Sequence, residues 1–373
     1  MSKVPDSFCL VPWYSVFIEP KSIGPCCVNY KLSNTNSIED YLKSKELSEL
    51  KKEFLKGNKP ASCTFCWKAE SIGIKSVRQE KSKTIMKEYQ QFIIRISNKC
   101  NYTCRMCNSK YSSAWENDKK ASILKKSVAT VGEATFNIDI YKKNINYIIN
   151  EAKRKLITID IIGGEPLISD EFIYFLEETK KENVRENIKL NINSNISVTT
   201  YKNIEYLKEF SNFNKVVIHA SVDGIDKVGE YIRRGYKQTI FNKNLQYFKK
   251  YIKFINVTLQ IYNIYDIPNI YRYAKDNDIG ISINYLIEPK CLSIALLDYN
   301  ERFKILEHYK NTSFHNKELE DAIINEIVNL EFIDNFIIHT SGLDKLWKTD
   351  FIKSIPELAS WYERVQHEKY NMV

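Results

Sequence analysis

The 373-residue chain contains no run of about 18 uninterrupted apolar residues, so no segment reads as a membrane-spanning helix. Residues 1–6 lack the basic-then-apolar plan of a secretory signal, and the expected location is the cytoplasm. Histidine is scarce. The five, His219, His308, His315, His339 and His367, show no H-x-x-x-H or other ligand spacing, which leaves imidazole out of any metal site read from sequence. No zinc finger, RNP-like strand or basic helix is present, which argues against a nucleic-acid partner. Internal repeats and low-complexity linkers are also missing, and no separate leader-peptide-binding module is expected.

What remains is a globular composition, 43% hydrophobic and 27% charged. The length implies two modules or one large α/β unit with appendages. A net charge of +9, from 55 Lys+Arg against 46 Asp+Glu, favours anionic partners, although the lysines are spread along the chain rather than gathered in a patch. The 24 Tyr and 18 Phe recur mostly at helix or strand period and read as packing. Cysteine is the exception. Nine thiols in a reducing compartment point to metal or redox work more than to disulfides.

Three of them crowd into Cys100-Asn101-Tyr102-Thr103-Cys104-Arg105-Met106-Cys107, directly after an alternating apolar run at 92–97. Soft thiolates at this density select iron-sulfur clusters, zinc or copper, and three leave one metal position unfilled by protein. From there on, strand-like runs at 92–97, 156–162, 188–192, 215–222, 254–261 and 279–286 alternate with helical ones at 109–126, 141–154, 170–183, 200–210, 238–251 and 267–276. Six βα units imply a parallel sheet, and a partial barrel would carry its active site at the carboxyl ends of the strands. Polar groups lie at those ends: Gly163-Gly164-Glu165-Pro166 after the second strand, Asn191, Asn193, Ser194 and Asn195 after the third, and Ser221, Asp223 and Gly224 after the fourth. Two glycines let a backbone approach a ligand closely, and a carboxylate accepts hydrogen bonds from an ammonium group. Turn and cap chemistry accounts for the same residue types. The tail from about 289 reads as helices, at 298–309, 316–329, 343–353 and 356–367, and its lone Cys291 reads as an inert core residue.

Five further cysteines precede the core: Cys9, Cys26, Cys27, Cys63 and Cys66. Turn residues at 20–25 would fold a hairpin that presents Cys26 and Cys27. A helical run at 37–56 leads to the C-x2-C knuckle Cys63-Thr64-Phe65-Cys66. One thiolate from Cys9, one from the Cys26–Cys27 pair and two from the knuckle make four ligands, which suits zinc and a [4Fe-4S] cluster alike.

The C-x3-C-x2-C run, with Tyr102 and Met106 inside it and the Gly163-Gly164-Glu165-Pro166 turn on the next strand, resembles the signature of the radical S-adenosylmethionine (SAM) enzymes. The amino-terminal cysteines, with Glu70, Gly73, Ser76 and Arg78 after the knuckle, resemble the auxiliary segment of twitch or SPASM-type members, here placed before the core rather than after it. The resemblance spans most of residues 1–290. It implies an α/β fold of three parts: a cysteine-rich auxiliary domain at 1–90, a partial (β/α)6 barrel core at 91–290 and a helical capping segment at 291–373. It implies that Cys100, Cys104 and Cys107 hold a [4Fe-4S] cluster whose fourth iron binds SAM, that Gly163, Gly164, Glu165 and Pro166 contact the methionyl amino group, and that Asn193, Ser221 and Asp223 supply further SAM contacts. It implies a second iron-sulfur cluster on Cys9, Cys26, Cys63 and Cys66, with Cys27 as the alternative to Cys26 and zinc as the alternative metal. The activity implied is reductive cleavage of SAM to a 5′-deoxyadenosyl radical, with an electron-donor protein such as flavodoxin or ferredoxin. Hydrogen abstraction from a small polar substrate, anionic or sugar-like, follows, and the auxiliary cluster accepts an electron so that the net reaction is an oxidation. A peptide-modifying enzyme is the alternative within this chemistry, and a non-catalytic metal-binding or redox-sensing protein the alternative outside it.

Overall fold

The computed structural model describes residues 5–28, 33–73, 75–81, 89–128, 137–286 and 288–370. The chain divides into two compact units, one of Met1–Ser97, Thr135–Asn193 and Thr200–Val217, the other of Asn98–Ala134, Ser194–Thr199 and Ile218–Val373.

The first unit holds strands β1 (Ser15–Glu19), β2 (Ser22–Gly24), β3 (Gln91–Arg95), β4 (Ile157–Ile162) and β5 (Ile188–Ser194), hydrogen-bonded in the order β2-β1-β3-β4-β5. β1 and β2 form the expected hairpin, antiparallel, with Phe17 opposite Gly24. β1 then pairs with β3 in parallel, Val16 opposite Phe92, and β3, β4 and β5 continue in parallel. Alternation explains their seating: Phe92 and Ile94, Ile159 and Ile161, and Leu190 and Ile192 are buried on one face, while Arg95, Asp160 and Asn191 point the other way. On that second face, Arg95 Nε meets Glu19 Oε1 at 3.0 Å, and Asp160 accepts from Gln91 and from Asn191. The helix Ile138–Arg154 starts at Asn137, whose side chain accepts from the Asp139 and Ile140 amides, and buries Tyr141, Ile145, Ile148, Ile149 and Ala152 at helical spacing. Its Asn144 also ties down the amino-terminal segment, accepting from Ile38 N and donating to Asn36 O.

The second unit contains β6 (Lys215–Ser221) from Ile218 onward, β7 (Ile252–Leu259) and β8 (Gly280–Tyr285), all parallel. Here too one face is apolar, with Ala220, Ile255, Val257 and Leu259 buried. All six core strands thus lie where alternation placed them, in an α/β fold with a parallel sheet. The carboxyl-terminal helices are Tyr299–Asn311, Lys317–Asn325, Ile333–Trp347, the short Phe351–Ser354 and Ala359–Tyr370.

Several helical readings change in detail. The run at 109–126 is two helices, Ser113–Asn117 and Lys119–Val128, parted at Asp118, and the one at 316–329 ends at Asn325. The run at 37–56 is two helices, Ile38–Leu42 and Lys45–Leu55, because the Ser44 hydroxyl caps the second by accepting from Leu47 N. Within 200–210 only Tyr206–Phe210 is helical; Thr200–Tyr201 and Ile204–Glu205 form a small hairpin about Lys202, at φ 51°. The helix read at 343–353 begins earlier and stops at Lys348, which takes a left-handed conformation after Trp347. No helix among the described residues is long and apolar enough to cross a membrane.

Candidate metal centres

In the second unit the three-thiol loop is held from several sides. Thr103–Cys104 pairs antiparallel with Arg233–Arg234, and the Arg105 amide donates to Ile232 O at 2.8 Å. Inside the loop, Tyr102 N donates to Cys100 Sγ at 3.5 Å and Cys107 N to Cys104 O at 2.9 Å. Outside it, the Ser113 hydroxyl accepts from Cys100 N, the Ser112 hydroxyl donates to Tyr102 O, and the Trp115 indole donates to Cys104 O. Burial pushes the Cys104 thiol well up; the Arg233 guanidinium opposes this, and the neighbouring Cys107 and Cys100 add to it. Mutual influence of this kind places the three sulfurs as one group. A bound metal would convert them to thiolates, which are soft ligands with one coordination position left to spare.

The deepest anchor is Arg105, which sequence reading passed over. Fully buried, it donates through Nε to Tyr231 O at 2.9 Å and through Nη2 to Asp344 Oδ1 at 2.5 Å and Thr349 Oγ1 at 2.7 Å. Its guanidinium carbon lies 3.7 Å from the centre of the Tyr231 ring. Arg233 is likewise buried, paired with Asp223 at 2.6 Å, with Nη1 4.0 Å from Cys104 Sγ.

Asp223 is accordingly an interior group. Its Oδ2 accepts from Arg233 and its Oδ1 from Thr258 N, while Asn263 binds its carbonyl. Ser221 is half-buried on β6, opposite Asn256. Gly163 to Pro166 and Asn193 belong to the first unit. Gly163 has φ 96°, and a Cβ there would lie 2.7 Å from Ser97 O, so only glycine lets this turn pass so close to the end of β3. Glu165 is buried and accepts from Leu167 N at 3.0 Å; Asn193 is exposed.

The amino-terminal thiols assemble in the first unit. Cys9 sits in a small core with Val11, Tyr14 and Phe54, and Cys26, Cys63 and Trp67 pack against it. Burial pushes the Cys9 thiol up to about 12, with Cys63 and Cys66 adding to the shift. Burial raises Cys26 well above the thiol range, its neighbours being Cys27, Cys9 and Cys63. Cys66 is raised by burial and drawn back by the Arg78 amide and the Ser76 hydroxyl. Glu70 organises this side: it accepts from Ser76 Oγ at 2.5 Å and from Arg78 Nε and Nη2 at 3.0 and 2.7 Å, while Arg78 Nη1 donates to Asp6 O and Phe8 O. One buried arginine thereby joins the Cys9 segment to the Cys66 helix. Cys27 is exposed. Among the described residues no three thiol, imidazole or carboxylate groups are already closed to metal-holding distance, so each set is a neighbourhood of soft donors rather than a finished coordination shell.

Residues 94–274 match the model of the radical SAM superfamily. The chain is 29% identical over 255 residues to the radical SAM cyclopropyl synthase TigE of Paramaledivibacter caminithermalis, covering 66% of this chain and 47% of that one, so it spans about half the length of this curated relative. Among solved structures, Streptococcus suis SuiB aligns over 75% of this chain and 62% of its own at 16% identity, with a TM-score of 0.39. SuiB bound to its precursor peptide SuiA aligns over 67% and 58% at 14% identity, with a TM-score of 0.38.

Proposed function

We propose, since this chain belongs to the radical SAM superfamily and uses that family's [4Fe-4S] cluster and SAM, that it is an oxidoreductase acting on a C–H bond of a small polar substrate. When bound, these cofactors supply a 5′-deoxyadenosyl radical that abstracts the hydrogen atom. The observation that carries the oxidative reading is the presence of two separate thiol neighbourhoods, Cys100, Cys104 and Cys107 in one and Cys9, Cys26, Cys63 and Cys66 in the other. The first holds the SAM-binding cluster. Gly163, Gly164, Glu165 and Pro166 receive the methionyl end of SAM, Asn193 and Ser221 bind its polar groups, and Asp223 contributes by holding Arg233 against Cys104. The second holds an auxiliary iron-sulfur cluster able to accept one electron, which zinc cannot do. Cys26 rather than Cys27 is the ligand, because its thiol lies among Cys9 and Cys63 while Cys27 faces outward. In functional terms residues 1–90 form the auxiliary part, 91–290 the core and 291–373 the cap. The net charge of +9 supports an anionic substrate, delivered to a site that a flavodoxin- or ferredoxin-type donor reduces.

The test is anaerobic reconstitution followed by incubation with dithionite and SAM. The parent chain forms 5′-deoxyadenosine and Cys104→Ala does not, while both retain the same circular dichroism. Unchanged product from Cys104→Ala would remove the core assignment. Absence of product from both would favour a binding or sensing protein, and turnover of peptides but not small anions would change the substrate class.

A further inference from the structure

We propose that Lys125 is a positioning residue for the SAM-binding cluster: fixed between the Arg105 carbonyl and the His339 imidazole, it keeps a positive charge behind Cys107 and makes that cluster easier to reduce. The inference rests on the assignment of Cys100, Cys104 and Cys107 to the cluster.

Lys125 lies on the helix Lys119–Val128, with its side chain turned fully inward. Its Nζ donates to Arg105 O at 2.7 Å and to His339 Nε2 at 3.1 Å. An ammonium has no lone pair to offer, so Nε2 is the acceptor and the imidazole proton sits on Nδ1, 3.3 Å from the Tyr262 hydroxyl. The Trp115 ring, 5.7 Å from Nζ, lies beside the ammonium. Gly342 allows the approach of the Ile333–Trp347 helix that carries His339, since a Cβ there would come within 2.6 Å of Leu124.

Among the described residues no carboxylate forms an ion pair with this cation. The charges acting on it are Cys291, Cys107 and Arg105, and burial pulls its pKa down to about 8. Burial pushes the Cys291 thiol up to about 11, so Cys291 stays neutral near pH 7. Arg105 repels the ammonium and is itself committed to Asp344. Burying an ammonium costs several kcal/mol unless an anion compensates. Cys107 packs against the small core of Trp115, Ala121 and Leu343, the same Trp115 ring that lies beside the Lys125 ammonium, so the anion that fits this place is the thiolate-bound cluster itself. A reduced cluster carries one more negative charge than an oxidised one, so a fixed cation nearby favours the reduced form, and less so as distance grows. The two hydrogen bonds alone would serve only to hold the loop, and a neutral donor of similar reach would then do as well. Charge is what separates the two roles.

The experiment uses the full chain reconstituted with iron and sulfide, in the parent and in Lys125→Gln, Lys125→Met and Lys125→Arg. It measures iron per chain and the reduction midpoint of the cluster by electron paramagnetic resonance without SAM, with Cys107→Ala identifying the signal that belongs to this cluster. Lys125→Gln keeps the donors and loses the charge. The expected result is parental iron content with a midpoint more negative in Lys125→Gln and Lys125→Met, by about tenfold in the reduction equilibrium or ~59 mV for one electron, and a parental midpoint in Lys125→Arg. Loss of iron in both neutral variants with retention in Lys125→Arg also supports the proposal, because charge is again what matters. An unmoved midpoint in Lys125→Gln, or loss of iron in all three, overturns it. If the parent signal survives Cys107→Ala, the cluster assignment falls and this inference with it.

Discussion

At the scale of single residues, the molecule buries charge where thiols need to be held. Arg78 and Glu70 form a bidentate pair with the arginine side chain only 9% exposed, and two carbonyls of the Cys9 segment hang from the same guanidinium. Removing one partner of a buried pair leaves the other uncompensated, typically at 3–5 kcal/mol. Arg78→Met should therefore lower the urea midpoint and reduce metal bound by the amino-terminal thiols. The three-thiol loop, held by other residues, should keep its iron. Equal loss of metal from both sites would show that Arg78 acts on folding as a whole.

Asp266 gives a residue-scale effect of a different sign. It accepts from Ile225 N at 2.7 Å and from Asn269 Nδ2 at 2.8 Å, yet burial outweighs these donors and pushes its carboxyl up to about 6. A folded-state value above the unfolded one means the protonated form is favoured on folding. That stability is fully present below about pH 4 and is lost as pH rises through 6. Asp266→Asn keeps an acceptor oxygen and cannot ionise. It should gain on the parent by about 2–3 kcal/mol between pH 4 and 7, read from paired denaturation curves; curves that stay parallel across this range would contradict the assignment.

At the scale of elements, the central fact is that the helix Ile333–Trp347 reaches back to the three-thiol loop. Asp344 and Arg105 are 239 residues apart in sequence, and the pair is fully desolvated on the arginine side. Asp344→Ala should cost about 3–5 kcal/mol, the usual effect of stranding a buried guanidinium. His339 on the same helix adds a pH dependence. Burial depresses its pKa well below the usual value, and the Lys125 and Arg105 cations depress it further. Stability from a depressed histidine is present above about pH 6.5 and declines as pH falls toward the folded-state value. Thermal unfolding should therefore soften from pH 7 to 5 in the parent and less so in His339→Gln. Equal slopes would show that this imidazole does not govern the docking of the helix.

These elements also show where sequence is readable. Six core strands were visible because apolar residues alternate along each, and the two thiol sets because cysteine spacing is a local property. The hairpin of β1 and β2 was legible from its turn residues, but its place in the sheet was not, because nothing local announces that Val16 will lie beside Phe92. Arg105 sat in plain view inside the motif, but its partners Tyr231, Asp344 and Thr349 come from distant parts of the chain. Asp223 was legible as a polar residue at a strand end, but its burial beside Arg233 could not be inferred from its neighbours in sequence.

At the scale of the whole molecule, the question is whether two metal centres coexist in one chain. Four thiols in a neighbourhood accept zinc or iron-sulfur with equal ease, so geometry alone does not choose. Counting does. Two four-iron clusters require about eight irons per chain; Cys26→Ala should reduce this to about four and Cys27→Ala should leave it unchanged. Because the three-thiol loop has its own supports in Trp115, Arg105 and Arg233, Cys26→Ala should still form 5′-deoxyadenosine with dithionite and SAM. A chain with about four irons and one zinc would keep the radical chemistry but lose the electron acceptor, and the net reaction would then have to be redox-neutral, such as an isomerisation or epimerisation. The same count with Cys27→Ala deficient and Cys26→Ala intact would mean that the exposed thiol turns inward on metal binding. The hairpin β1–β2, not the buried pocket around Cys9, would then be the part of the site that moves.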